Sequence, residues 1–154
     1  MKQSFKIPRR AALWAAAAAG LVLLMAGCQS TPGTPPTGIS LVVYDQNLFF
    51  SGGYYDVYRV FTDAPSWIVV YNSENGAPGE IIGKEKVPTG QSYHVRVYVN
   101  INKRTENLFM KLHADAGKIG EFEFPGPDEV IVVDGKEVAA SFKDISMSIQ
   151  KRMN

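Results

Sequence analysis

The stretch SYHVRVYVN, residues 92–100, alternates between apolar and polar side chains and decides the fold class predicted for the chain. In an extended conformation one face carries the apolar row Tyr93, Val95, Val97 and Val99. The opposite face carries the polar row His94, Arg96, Tyr98 and Asn100. A period of two is typical of a strand with one buried face and one solvated face. The stretch therefore predicts a half-buried β-strand.

Strand patterns recur through most of the chain after residue 38. They are found in SWIVVYN (66–72), NLFMKLH (107–113), GEFEF (120–124) and a last alternating segment that contains Ile145, Met147 and Ile149. In VIVVDGKEVAASF (130–142), Asp134-Gly135 predicts a type I′ hairpin, because this dipeptide accepts positive φ values. No segment predicts an amphipathic helix. Roughly seven to nine short strands between glycine- and proline-rich turns predict an all-β fold, an antiparallel two-sheet sandwich of immunoglobulin-like or cupredoxin-like kind.

The first 27 residues predict an export signal that is removed from the mature protein. A basic start is followed by the apolar run 11–26, which ends in LMAGC, and Cys28 is the only cysteine of the chain. This ending resembles the lipobox of bacterial lipoproteins, which implies that Cys28 is lipidated and becomes the new N-terminus. We therefore expect attachment to a membrane through lipid, at the periplasmic or extracellular face of the cell envelope.

The mature chain is predicted to consist of a tether and one domain. Residues 28–38 are rich in proline, glycine and threonine, so they favour an extended spacer, and residues 39–154 have the length of a single β-sandwich domain. Four of the 16 basic residues lie within the signal, so the mature chain has fewer basic than its 15 acidic side chains. This balance leaves no basic stripe for nucleic acid, and we expect no nucleic-acid partner.

A set of longer motifs resembles a known family. The segments are WIVVYN (67–72), GAPGEIIG (76–83), VPTGQSYHVRV (87–97), LHADAGKIGEFEFPGPDEVI (112–131) and GKEVAASF (135–142). Together they resemble DUF7282, a domain of unknown function found in archaeal and bacterial cell-surface proteins and lipoproteins. The resemblance covers about residues 41–145. It implies a β-sandwich and a surface location, and it brings no known catalytic or binding residues.

The two histidines are candidates for a metal or small-ligand site. His94 and His113 both fall on polar strand faces, and they could meet with Asp115 to form a weak metal site. His113 and Asp115 have a competing explanation as a strand end followed by an Asx-type turn. No serine lies in a G-x-S-x-G elbow, so we expect no enzymatic activity. We also expect no cofactor apart from the covalent lipid on Cys28.

The most aromatic stretch is LFFSGGYYDVYRVF, residues 48–61. A sandwich core absorbs only one of its rows, so at least two large aromatics should lie at the surface or under a loop. Tyr54, Tyr55 and Tyr58 are therefore candidate binding residues, since tyrosine offers a broad apolar ring and a hydroxyl. The alternative is that they fill the ends of the core or make tyrosine-corner hydrogen bonds. The sequence predicts an interaction module for an envelope protein or a glycan. A metal or small-ligand carrier that uses the histidines and a purely structural envelope protein remain the alternatives.

Overall fold

The computed structural model describes residues 38–48 and 53–153. The predicted signal, Cys28, and the tether up to residue 37 lie outside the described residues. So do residues 49–52 of the aromatic stretch.

The described residues form an all-β domain, as predicted, together with a short 3-10 helix (Ile101–Lys103) and one α-helix that the sequence does not predict. The strands are β1 (Ser40–Val42), β2 (Tyr54–Thr62), β3 (Ser66–Glu74), β4 (Ala77–Val87), β5 (Gly90–Tyr98), β6 (Asn107–Ala114), β7 (Val132–Val133), β8 (Lys136–Glu137) and β9 (Ala139–Lys143). Strands β1-β2-β5 form a three-stranded sheet, β4-β3-β6-β9 form a four-stranded sheet, and β7-β8 form a short hairpin. All strand pairs are antiparallel.

The core lies between the two larger sheets. It combines buried side chains of the three-stranded sheet, such as Val57 and Val97, with those of the four-stranded sheet, such as Ile68 and Leu112. Apolar residues at every second position direct one side of each strand inward, which is why period-two sequences assemble as a sandwich. The predicted two-sheet sandwich is therefore confirmed.

Strand β3 differs from the others because it is buried on both faces from Ser66 to Tyr71. Its inner residues join the sandwich core, while Trp67, Val69 and Tyr71 form a second apolar cluster on the outer face of the four-stranded sheet. A central strand covered on both sides has a nearly continuous apolar sequence, as SWIVVY has. The outer cluster therefore requires a cover.

Residues 115–129, here called the covering loop, supply that cover. GEFEF lies in this loop and forms no strand, so the predicted strand at 120–124 is wrong. Phe122 packs edge-on against Trp67, with ring centroids 5.5 Å apart. The buried Asp128 carboxylate accepts hydrogen bonds from the backbone N–H groups of Glu123 at 2.8 Å and Ala116 at 2.9 Å. Carboxylates thus take the place of a neighbouring strand as partners of the loop backbone.

The hairpin prediction is confirmed at its turn, where Asp134 has φ 50° and Gly135 has φ 76°. Its arms have only two residues each, and the rest of the predicted second arm becomes β9, which pairs with β6.

The C-terminal segment is helical, so the predicted last strand there is wrong. Helix α1 (Ile145–Met153) begins after Asp144, whose carboxylate accepts a hydrogen bond from the backbone N–H of Ser146 at 2.9 Å. This is N-capping, which satisfies a free donor of the first turn. Within the described residues, no helix combines the length and apolar character needed to cross a membrane.

Candidate functional site

The outer face of the three-stranded sheet carries a group of exposed tyrosines, here called the tyrosine face. Its members are Tyr44, which follows β1, Tyr54 and Tyr58 on β2, and Tyr93 and Tyr98 on β5. Four of them have exposed fractions between 40% and 60%, and Tyr54 is half-buried. No other tyrosine among the described residues is exposed to this extent.

The tyrosines contact one another in two groups. The Tyr58 ring lies 5.4 Å from that of Tyr44 and 6.4 Å from that of Tyr93, measured between centroids. Toward the other end of the sheet, Tyr54 and Tyr98 are directly opposite in the β2-β5 register, with centroids 5.6 Å apart. Cross-strand aromatic pairs of this kind stabilise a sheet and also hold the rings in place.

Backbone geometry at His94 explains how Tyr93 reaches this face. His94 has φ 51°, a left-handed conformation that a residue with a Cβ adopts at a cost. The alternation of β5 breaks there, so Tyr93 and His94 are both exposed while Val95 and Val97 point to the core. The prediction that Tyr93 shares the apolar face with these valines is therefore wrong.

A depression of about 270 Å³ lies at one end of the tyrosine face, and we call it the Asp56 depression. It is lined by Tyr44, Gln46, Asp56, Tyr58 and His94. The Gln46 amide exchanges two hydrogen bonds with the Asp56 backbone, donating to its carbonyl at 2.9 Å and accepting from its N–H at 2.8 Å. This pairing fixes the segment after β1 against β2.

The acidic group near the depression, Asp56, lies beside the basic residues His94 and Arg96. His94 Nδ1 lies 2.9 Å from Asp56 Oδ2. Asp56 is also opposite Arg96 in the β2-β5 register, and the Arg96 guanidinium lies 5.1 Å from the centre of the Tyr54 ring. The face thus combines aromatic rings with polar groups and has no large excess of either charge.

The sequence predicts part of this face. Tyr54 and Tyr58 were predicted as binding residues and both belong to it. Tyr44, Tyr93 and Tyr98 were missed, although Tyr98 and His94 already shared the polar row of SYHVRVYVN. That row places Tyr98 on the solvated side of β5, and this position is the sequence feature from which its exposure could be predicted.

Tyr55 does not belong to the face, and its prediction as a surface binding residue is corrected. Its side chain is fully buried in the core, and its hydroxyl donates a hydrogen bond to Asp144 Oδ2 at 2.7 Å. Burial, and then the hydrogen bond to the Asp144 carboxylate, raise the pKa of Tyr55 far above its ordinary value. The residue instead ties β2 to the start of α1.

His113 is fully buried beneath the covering loop. Its Nδ1 lies 2.8 Å from the Asp128 carbonyl oxygen, and its Nε2 lies 2.8 Å from the Tyr71 hydroxyl. Because a carbonyl only accepts, Nδ1 carries the proton and Nε2 accepts from Tyr71. Burial lowers the pKa of His113, which outweighs the opposing effect of the Asp128 carbonyl. These contacts describe a neutral imidazole that joins the loop to the sheet.

The structure does not bring His94, His113 and Asp115 together as the metal hypothesis required. His94 is exposed on the three-stranded sheet, whereas His113 is buried on the outer side of the four-stranded sheet. Both carboxylate oxygens of Asp115 accept from the Gly120 N–H at 2.9 Å. Among residues 38–48 and 53–153, no three His, Cys, Asp or Glu residues are grouped so that they could hold a metal ion.

Comparisons with known proteins give one match. A family model described as a domain of unknown function, DUF7282, matches residues 40–143. No curated protein and no solved structure matches the chain. The model covers most of the chain and nearly all of the β-sandwich, including the tyrosine face and the covering loop. The chain therefore belongs to the DUF7282 family.

Proposed function

We propose that this protein is a lipid-anchored binding module of the cell envelope, and that the tyrosine face is its binding surface. The observation that carries the proposal is the concentration of exposed tyrosines on the outer face of one sheet, while the outer face of the other sheet is covered. Contiguous exposed aromatic area is uncommon on a monomer and marks interaction sites. Tyrosine suits this role because its ring gives contact area and loses little side-chain entropy on binding.

A binding role is favoured over catalysis by the composition of the Asp56 depression. None of its five lining residues is a serine, threonine or cysteine, the side chains that serve as the nucleophile of hydrolytic triads. Asp56 and His94 instead bond to each other beside two aromatic rings. Such a site has polar groups that orient a ligand and rings that contact it, which are the elements of a binding pocket.

The anchor follows from the N-terminal sequence. The basic start, the apolar run and the ending LMAGC predict export and lipidation of Cys28, and residues 29–38 predict a spacer between membrane and domain. A spacer of this kind would separate the domain from the lipid surface. The location and the anchor are parts of the proposal, together with a protein or glycan partner.

The binding surface can be tested with envelope fragments of the producing cell. The full chain, purified in detergent, should co-sediment with these fragments, and the Tyr58→Ala/Tyr93→Ala double variant should lose most of this binding. Ile119→Ala is the matched control, because Ile119 is 68% exposed but lies in the covering loop. Equal loss in the control, or full binding by the double variant, would exclude the tyrosine face as the binding surface.

The anchor has its own test. Cells grown with radioactive palmitate should label the wild-type chain, and Cys28→Ala should abolish both the label and recovery in the membrane fraction. A labelled Cys28→Ala variant, or an unlabelled wild type, would overturn the anchoring proposal without affecting the binding surface.

A further inference from the structure

We propose that the Asp56 depression binds an uncharged sugar unit of a glycan, with Tyr44 and Tyr58 contacting the ring and Asp56 and His94 bonding to its hydroxyls. This inference rests on the proposed binding function and names the partner class of the same face.

The depression has the size and rigidity of a small-ligand subsite. Its volume of about 270 Å³ is enough for one sugar ring and too small for a folded partner to enter. Its floor is preorganised, because Gln46 is fixed by two hydrogen bonds to Asp56 and the Asp56 carboxylate is fixed by His94. Groups that are already in position lose little entropy when a ligand binds. This low cost allows a ligand that makes few strong contacts, such as a sugar, to bind.

The chemistry of the lining matches the two sides of a sugar ring. One side of a pyranose presents C–H groups, which pack on an aromatic face, and its rim carries hydroxyls that both donate and accept. Tyr44 and Tyr58 supply the aromatic contact. Asp56 Oδ1 and His94 Nε2 bond to no other described residue, so they are available to neighbouring hydroxyls. A bond to an ionised carboxylate is stronger than one between neutral groups.

The charge balance selects an uncharged ligand. The Asp56 carboxylate already has His94 as a hydrogen-bond partner and Arg96 across the strand pair. A cationic ligand would compete with these groups for one carboxylate, and an anionic ligand would meet that carboxylate directly. A neutral polyhydroxyl ligand can bond to the existing pair without separating it.

The backbone conformation at His94 indicates that the histidine side chain is required at this position. A left-handed residue is least costly as glycine, and β5 uses a histidine there with φ 51°. Strained residues of this kind cluster at functional sites, where the side chain is required in that position. Here the strain places the imidazole beside both Asp56 and the Tyr58 ring, whose centroid lies 5.6 Å from that of His94.

The face extends beyond one sugar. Tyr54 is four residues from Tyr58 along β2, which is about 13 Å in an extended strand. Tyr54 and Tyr98 form a second aromatic platform there, with the Arg96 guanidinium beside it. Two aromatic platforms about 13 Å apart along β2, with polar side chains between them, fit a linear oligosaccharide that runs parallel to the strand.

Calorimetry with defined oligosaccharides tests the inference. The full chain in detergent is titrated with cellohexaose, maltohexaose and chitohexaose, which are uncharged and differ in linkage or in the acetamido group. We expect saturable binding of at least one, reduced about tenfold by Tyr58→Ala and by Asp56→Asn. Ile119→Ala should bind as wild type. Circular dichroism confirms that each variant is folded, and Asp56→Asn keeps the size of the side chain.

Envelope fragments distinguish failure of this inference from failure of the binding function. Periodate cleaves vicinal diols and should abolish co-sedimentation if the sugar is of the cellohexaose or maltohexaose type. If it is of the chitohexaose type, whose 4-linked acetamido units lack vicinal diols, excess free chitohexaose should abolish co-sedimentation instead. Protease treatment of the fragments should preserve it in both cases. Loss after protease alone would identify a protein partner and overturn the sugar assignment while keeping the binding surface. No saturation by any of the three oligosaccharides, combined with periodate-resistant binding, would also overturn it.

Discussion

The outer faces of the two sheets both present aromatic rings and one histidine, but only one of them is covered. On the four-stranded sheet, Trp67, Tyr71 and His113 lie beneath the covering loop and are at most 6% exposed. On the three-stranded sheet, the rings of the tyrosine face remain exposed, and the His94 side chain is 67% exposed. Among the described residues, the covering loop packs over one aromatic face, whereas the other face remains exposed to solvent.

The two faces differ in whether their aromatic side chains are buried by other parts of the chain or exposed to solvent. The covered aromatics have partners within the chain: Phe122 and Phe124 pack against the His113 ring, with centroids 5.5 and 4.8 Å away. The exposed tyrosines contact one another, His94 and Arg96, and four of them keep 40–60% of their surface exposed to solvent. Residue type alone does not distinguish the two faces, because each has aromatic rings next to a histidine.

The largest expected effect is the loss of Asp128, which holds the covering loop. Asp128→Ala removes the acceptor for the N–H groups of Glu123, Ala116 and Gly117. Because hydrogen bonds to a charged group contribute about 1.5–3 kcal/mol each, we expect a loss of about 3 kcal/mol or more in the free energy of unfolding. Urea denaturation measures this loss. Asp56→Ala, the carboxylate on the tyrosine face, should cost less than about 1 kcal/mol. Similar losses in both variants would contradict the distinction between the faces.

The two histidines give the second contrast. His113→Ala removes a fully buried ring and its bonds to Tyr71 and Asp128, so we expect a destabilisation of about 2–4 kcal/mol. His94→Ala removes an exposed ring and should cost about 1 kcal/mol or less. Thermal and urea denaturation of both variants check the difference. A His94 variant as unstable as the His113 variant would mean that the tyrosine face is structural.

A pH dependence should follow from His113. Burial lowers its pKa in the folded state from the ordinary 6.5, so the unfolded chain binds a proton more readily. Its contribution to stability is then complete above pH 6.5 and is lost as the pH falls below that value toward the folded pKa. The melting temperature should therefore fall between pH 7 and pH 5. His113→Gln should flatten this slope, while His94→Gln, which keeps His113, should retain it.

The smallest expected change in stability is that of His94→Gly. Glycine relieves the cost of positive φ, about 1–2 kcal/mol, but it loses the bond to Asp56 and adds freedom to the unfolded chain. These effects oppose each other, so the free energy of unfolding should change by less than about 1 kcal/mol. Envelope binding should nevertheless fall, because the imidazole is gone. Unchanged binding together with clearly increased stability would show that His94 has no role in recognition.

Several features were predictable because they depend on local pattern. The strands at 66–72 and 107–113 and the Asp134-Gly135 turn follow from alternation and from the φ preferences of single residues. The errors arose where side-chain carboxylates, and not a neighbouring strand, accept the hydrogen bonds of the backbone. GEFEF alternates as a strand does, but Asp128 and Asp115 satisfy the loop backbone instead. The last segment also alternates, but Asp144 caps its first turn and the segment becomes α1.

The candidate site was predicted in part for the same reason. Alternation placed Tyr54 and Tyr58 on a common side, as observed, but it could not say which side of β2 faces the core. The packing of the two sheets determines which face of β2 is buried, and the buried face carries Tyr55. The proposed metal cluster failed to form because His94 and His113 lie on different sheets, a separation that no local spacing contains.

The sequence by itself determined the all-β sandwich and the family, because period-two patterning and turn residues act locally and recur along the chain. Tertiary structure alone decided which aromatics are available. The covering loop folds over Trp67 and His113, and the left-handed His94 turns Tyr93 outward beside Tyr58. Both outcomes depend on contacts between residues far apart in the chain, and such contacts exist only after the sheets have formed.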